Sequence, residues 1–227
     1  NHRSCLYLAH DTQQQPLVIK TLGVDLQQDK NAVEQFQLED WVSKRLKHDN
    51  LMQCYPHNTE KKYLFQCYEY LQGETLAQWL HRQEKPLNLD EILPILQQTA
   101  LALNAMHRLE MLHQDIRPKN IMVLNTESAM KIKLIDYGST AVRGLVEINP
   151  KNANRPLGTL AFMAPEYFID HSPSVHSDQF SLAVMAYYLL TKQLPYGTDL
   201  ARCNSLKQLK KVQYYSIRKY RPDLPIW

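Results

Sequence analysis

The sequence predicts an α+β protein, strand-rich at its start and mainly helical afterwards, and three observations carry that prediction. Residues 4–10 and 17–22 are apolar or alternating runs around the polar stretch Asp11–Gln15, which reads as a β-hairpin. Residues 29–47 put Val33, Phe36, Val42 and Leu46 on one face at helical spacing. After Asn88, the residues Ile92, Ile95, Leu96, Leu103 and Met106 keep the helical period as a core-facing stripe, and Phe180 to Leu190 forms another apolar helix. At 227 residues, 44% apolar and 22% charged, the chain can bury a core as one large domain or as two small lobes around a cleft.

In chain order, the hairpin ends in Val18-Ile19-Lys20, and the following helix carries Glu39, nineteen residues after Lys20. Lys62 to Tyr68 reads as a strand that leads into Glu69-Tyr70-Leu71-Gln72-Gly73. Asn88-Leu89-Asp90-Glu91 starts a helix with acidic residues in its first turn, and that helix delivers the chain to His113. The rest of the chain is organised around residues 111–138, which hold Asp115, Asn120 and Asp136. Asp136 closes the apolar, isoleucine-rich run Ile132, Leu134, Ile135, and Gly138 permits a sharp exit. At such a strand-to-loop end an acidic side chain can hold a cation instead of being buried unpaired. Ser139 to Leu157 is a polar stretch without periodicity, a length that a compact domain keeps when the loop is functional.

Composition excludes other classes. A net charge of +3 without long runs of one sign gives no nucleic-acid surface, and the basic residues Lys207 to Arg221 read as a solvated face. The four cysteines show no C-x-x-C spacing, so neither a common zinc pattern nor a disulfide framework is present. Free thiols point to a reducing compartment, hence a cytoplasmic location. No signal peptide and no membrane segment stand out.

Lys20, Glu39, Asp115, Asn120, Asp136, Ala164-Pro165-Glu166 and Asp178, in this order and spacing, resemble a protein kinase of the serine/threonine type over nearly the whole chain. The resemblance implies a bilobal protein-kinase-like fold, with a small β-rich N-lobe (1–70) bearing one C-helix and a larger, mainly helical C-lobe (71–227). It implies an enzyme that transfers the γ-phosphoryl of ATP, with Mg²⁺, to a Ser or Thr hydroxyl of a protein substrate. Lys20, fixed by Glu39, would hold the α- and β-phosphates, Asp115 would accept the hydroxyl proton, and Arg117 would offset charge on the γ-phosphoryl. Asn120 and Asp136 would hold the metal, and backbone groups of Glu69 and Leu71 would meet the adenine edge. Tyr68 would narrow the pocket behind the adenine, Thr159 would hydrogen-bond Asp115, His113 would be a packed structural residue, and Asp178 would tie down the catalytic loop.

Leu38-Glu39-Asp40-Trp41, His113-Gln114-Asp115-Ile116-Arg117-Pro118, Pro165-Glu166-Tyr167-Phe168 and Leu194-Pro195-Tyr196-Gly197 look like the kinase domain of bacterial bifunctional serine/threonine kinase/phosphatase proteins. That narrower resemblance implies a metal-dependent phosphatase domain in the same natural polypeptide.

The departures are specific. No glycine-rich loop precedes the first hairpin, and the chain stops before the final helices of a complete C-lobe, which leaves Glu166 without its usual buried partner. Gln114 replaces the arginine that pairs a phosphorylated loop, and Arg117 stands where lysine is usual. Ser43 is small where a bulky apolar residue is expected, which weakens the packed column from the C-helix to His113 and Tyr137. Ser43, Gln114 and the missing glycine loop favour a rival reading, a pseudokinase acting as a binding scaffold; the intact catalytic set opposes it. A small-molecule phosphotransferase of the aminoglycoside type would share the two aspartates and lack Ala164-Pro165-Glu166.

Overall fold

The computed structural model describes residues 4–55, 63–124, 130–144, 160–169 and 172–224. The hairpin forms as the sequence predicts. Strands β1 (Ser4–His10) and β2 (Pro16–Leu22) pair antiparallel from Ser4 opposite Leu22 to His10 opposite Pro16. Asp11 Oδ1 closes the turn by accepting from the N–H groups of Gln13 and Gln15, both at 2.8 Å. The second strand runs past Lys20, because Thr21 and Leu22 still find partners in Cys5 and Ser4.

Two strands complete this sheet: β3 (Cys54–Tyr55) and β4 (Phe65–Glu69), in the order β1-β2-β4-β3. The third strand read from sequence therefore starts at Phe65; Lys62 lies outside the described residues. Lys20 stands opposite Gln66 and Val18 opposite Tyr68, so the period-two alternation puts these four on one face. Helix α1 (Lys30–Ser43) meets Lys20 through Glu39 and Gln66 through the Phe36 carbonyl, with Asp29 capping its start by accepting from Asn31 and Ala32 N–H. It ends earlier than the apolar pattern suggests, and Leu46 is buried from the turn beyond it.

The rest of the chain is mainly helical. After β5 (Gly73–Thr75) come α2 (Leu76–His81) and α3 (Leu89–His107), the latter opened by a capping box between Asn88 and Glu91. Short strands follow: β6 (Met111–Leu112), β7 (Ile121–Leu124), β8 (Lys131–Leu134) and β9 (Ala141–Val142). They form a β5-β7-β8 sheet and a β6-β9 pair. Gly73 lets β5 approach β7: a Cβ there would stand 2.1 Å from the Val123 carbonyl oxygen. Helix α4 (Val175–Thr191) begins before Asp178, placing that residue inside the first turn, and α5 (Leu206–Leu209) is a single turn.

The α3 stripe is core: Ile92, Ile95, Leu103 and Met106 are buried, and Leu96 is partly buried against them. Segment 50–52 ties the first sheet to β8, since Leu134 N–H donates to Asn50 O (2.8 Å) and Met52 N–H to Leu134 O (3.0 Å). Those bonds fix the height at which Asp136 leaves β8 beneath Lys20.

Candidate active site

The site has two ends. At the first, Lys20 Nζ donates to Glu39 Oε1 at 2.5 Å and to Asp136 Oδ1 at 3.2 Å, so residues from β2, α1 and the end of β8 meet at one ammonium. Lys20 and Glu39 are nearly enclosed, at 12% and 4% exposure, whereas the Asp136 carboxylate opens to water at 49%. Burial pulls the Lys20 pKa down, but attraction to Glu39 and Asp136 more than offsets it, and the pKa is raised. For Glu39, burial and the Asp136 charge outweigh Lys20, so its carboxyl is also pushed up. Burial acts to raise Asp136 as well, yet the Lys20 charge and hydrogen bond, with the Gly138 N–H, hold it below its ordinary value.

The sharp exit after β8 is not made where the sequence suggests. Asp136 itself adopts the left-handed conformation, φ 65°, and Gly138 is absent from the positive-φ residues. Gly138 serves a different need: a Cβ would come within 3.2 Å of Asp136 Oδ1 and 3.4 Å of Glu39 Oε2. Its carbonyl accepts from Gln35 Nε2 at 2.7 Å, which binds α1 to the Asp136 loop.

Behind Lys20 lies a network that pattern reading missed. Gln66 is fully buried; its Nε2 donates to the Phe36 carbonyl of α1 at 2.7 Å, and its Oε1 accepts from the Tyr68 hydroxyl at 2.7 Å. Tyr68 is enclosed, at 1% exposure, with its hydroxyl close to Ser43. A small residue at position 43 thus makes room for a tyrosine whose ring joins the core. Burial raises the Tyr68 pKa, so the hydroxyl stays a donor. A lone glutamine on the α1-facing side of a buried strand was the available signal.

At the second end, Asp115, Arg117 and Asn120 come together. Asn120 Nδ2 donates to Asp115 Oδ2 (2.7 Å) and to its carbonyl (2.8 Å), and Arg117 Nε lies 3.3 Å from Oδ2. Asp178, fully buried, accepts from His113 N–H and Gln114 N–H, both at 2.9 Å, and from His107 Nε2 at 2.8 Å. The two backbone bonds are as the resemblance implied; the histidine on α3 carried no sequence signal. Gln114 adopts φ 66°, a costly conformation for a non-glycine residue that these bonds hold. His113 is fully buried, accepts at Nδ1 from Asp115 N–H (3.3 Å), and packs edge-on against Tyr137.

Glu166 finds a nearby partner: the Ser177 hydroxyl donates to it from the first turn of α4. Glu69 ends β4, with its N–H on the Gln53 carbonyl (3.0 Å) and its carboxylate held by Lys133, while Leu71 follows beyond the strand. Thr159, Gly158 and residues 145–157 lie outside the described residues.

Asn120 and Asp136 offer an amide and a carboxylate, oxygen donors of the kind Mg²⁺ takes when phosphates and water fill its shell. No cluster of three or more His, Cys, Asp or Glu able to hold a metal occurs among the described residues, so protein side chains alone do not build a cage. No described helix is long and apolar enough to cross a membrane.

Known proteins resemble this chain in sequence and fold. The chain is 26% identical over 209 residues to the probable serine/threonine-protein kinase PknB of Lactococcus lactis, covering 92% of this chain and 32% of that protein. It is 27% identical over 221 residues to PrkC of Bacillus subtilis (97% and 33%) and 31% identical over 214 residues to pkn3 of Myxococcus xanthus (92% and 39%), both named serine/threonine-protein kinases. The chain thus spans about a third of the length of the curated relatives it matches. Its fold is similar to that of the Mycobacterium tuberculosis PknI kinase domain, with TM-score 0.70 at 22% identity, over 99% of this chain and 79% of that one. The protein kinase domain family matches residues 3–226, a span that includes both ends of the site, and the chain belongs to that family.

Proposed function

We propose that this protein is an ATP-dependent protein serine/threonine kinase that transfers the γ-phosphoryl of Mg-ATP to a protein Ser or Thr hydroxyl. The observation that carries the reading is the bridge Glu39–Lys20–Asp136, which joins the first sheet and α1 to the loop after β8 across the cleft. Residues 1–70 and 71–227 would be the two lobes, with the Glu69 carbonyl and Leu71 N–H at the adenine edge.

Lys20 would bind the α- and β-phosphates while Glu39 holds its ammonium in place. Asp136 and Asn120 would hold Mg²⁺, which would supply positive charge to offset that of the phosphates. Asp115 would orient the acceptor hydroxyl and take its proton; Asn120 and Arg117 steady the carboxylate in that pose. Arg117 would also offset charge building on the transferring group. Gln114 offers no cation to a phosphorylated loop, so activity should not depend on loop phosphorylation. The narrower likeness to kinase/phosphatase proteins would add a phosphatase domain to the natural polypeptide, and the free thiols would suit a cytoplasmic location.

The test is nucleotide affinity with and without Mg²⁺. The wild type should bind an ATP analogue more tightly with the metal, and Asp136→Asn should lose that dependence. Equal magnesium dependence in the two proteins would sink the assignment of Asp136.

A further inference from the structure

Resting on the kinase reading above, we infer that the protein selects substrates bearing an acidic residue close to the phosphorylated Ser or Thr, and that this residue enters a cationic pocket beside Asp115. A pocket of about 400 Å³ is lined by Ala77, Leu80 and His81 of α2, by Arg117, Pro118 and Lys119, and by Phe162, Tyr188 and Lys192. Its walls are apolar and fixed: Leu80 and Pro118 are buried, and the rings of Phe162 and Tyr188 meet edge-to-face at 5.7 Å.

The charged groups of the lining are all of one sign: Arg117, Lys119 and Lys192 are cations, and no described lining residue is Asp or Glu. Arg117 shares its charge with Asp115, and Lys192 Nζ donates to the Gln83 carbonyl, a neutral acceptor that leaves its charge in place. Lys119 is exposed and forms no ion pair among the described residues. Cations gathered in a concave, apolar-walled site raise the local potential and reward an incoming carboxylate, while a basic side chain is repelled.

Position supplies the second half of the inference. Arg117 lines the pocket and also lies 3.3 Å from Asp115 Oδ2. A substrate whose hydroxyl sits at Asp115 must therefore carry its neighbouring residues past the pocket mouth. The selected acid therefore lies within a few residues of the acceptor.

The experiment uses the full-length protein, Mg-ATP and serine peptides with glutamate, alanine or lysine stepped through each position on both sides of the acceptor. The same peptides with the acceptor replaced by alanine are used to measure binding by fluorescence anisotropy, independently of turnover. At one or two positions glutamate should beat lysine by about tenfold in kcat/KM and in affinity. Lys119→Glu should reverse the order, weakening the glutamate peptides and improving the lysine ones, which general damage to the fold would not do. Transfer without charge preference, or with a preference for lysine, overturns the pocket and leaves the kinase reading standing. Charge-selective binding without transfer to any peptide does the opposite. If binding shows no charge preference and no peptide is phosphorylated, both fall.

Discussion

The two ends of the site are held by different means. Around Asp115 the fixing is done by backbone: the buried Asp178 carboxylate takes two main-chain N–H groups and His107, and the catalytic loop follows from those bonds. Around Lys20 it is done by side chains from separate elements, a 2.5 Å ion pair to α1 and a 3.2 Å contact to a half-exposed carboxylate. The first arrangement has one geometry, because breaking it strands buried polar groups. The second can shift with α1, whose placement depends on Gln66 and Gln35. A rigid end suits orientation of a hydroxyl; an adjustable end suits the entry and departure of a nucleotide.

If this contrast is right, the largest loss comes from Asp178→Ala. It leaves two backbone donors and an imidazole without their acceptor, and should cost about 3–5 kcal/mol of stability. Chemical denaturation reads this as a large drop in midpoint, and Asp178→Asn, which keeps one acceptor oxygen, should recover part of it. Glu39→Gln should barely change the denaturation midpoint by comparison. Its effect belongs to catalysis: about 2 kcal/mol, roughly thirty-fold, in kcat/KM for ATP, because Lys20 keeps only Asp136 as an ionic partner. Steady-state kinetics with varied ATP measures it.

Gln66→Leu tests the hold on α1. Loss of the bond to the Phe36 carbonyl should cost about 1–2 kcal/mol in stability and weaken ATP use, while Tyr68→Phe should cost about 1 kcal/mol. If α1 is positioned through Gln66, the two substitutions raise the KM for ATP more than they lower kcat, and Gln66→Asn fails to restore it because the shorter amide cannot span. The smallest effect is that of pH on the Lys20–Asp136 contact. Asp136 has a depressed pKa, so its contribution is present above 3.8, its ordinary value, and is lost as the pH falls through the lower folded value. Half-exposed, it is worth about 1 kcal/mol or less. The stability difference between wild type and Asp136→Asn should be flat from about pH 5 to 9 and shrink only below 3.8.

The same contrast explains what the sequence let one read. Lys20, Glu39, Asp115, Asn120 and Asp136 were legible through the resemblance to protein kinases, which rests on their order and spacing, and the structure brings them to the two ends described. The hairpin, α1 and the α3 stripe were legible from periodicity. Gln66, Gln35, His107 and Ser177 were not, since each acts through a hydrogen bond to a residue remote in sequence or on another element. The left-handed backbone at Gln114 and Asp136 was also hidden: aspartate tolerates that conformation without announcing it, and glutamine rarely adopts it. Gly138 does not make the tight turn; a Cβ there would press on Asp136 Oδ1 at 3.2 Å.

The central claim is that Asp115 serves a phosphoryl transfer, and one substitution tests it most directly. Asp115→Asn keeps the shape and the reach of the side chain but removes the carboxylate that accepts a proton. With the full-length protein and radiolabelled ATP, the wild type should label a Ser/Thr protein substrate or itself. The variant should bind Mg-ATP with unchanged affinity and lose about 10²–10⁴-fold in transfer. A variant that transfers phosphate as fast as the wild type, or a wild type that binds Mg-ATP and transfers none, would contradict the account and leave a nucleotide-binding scaffold in its place.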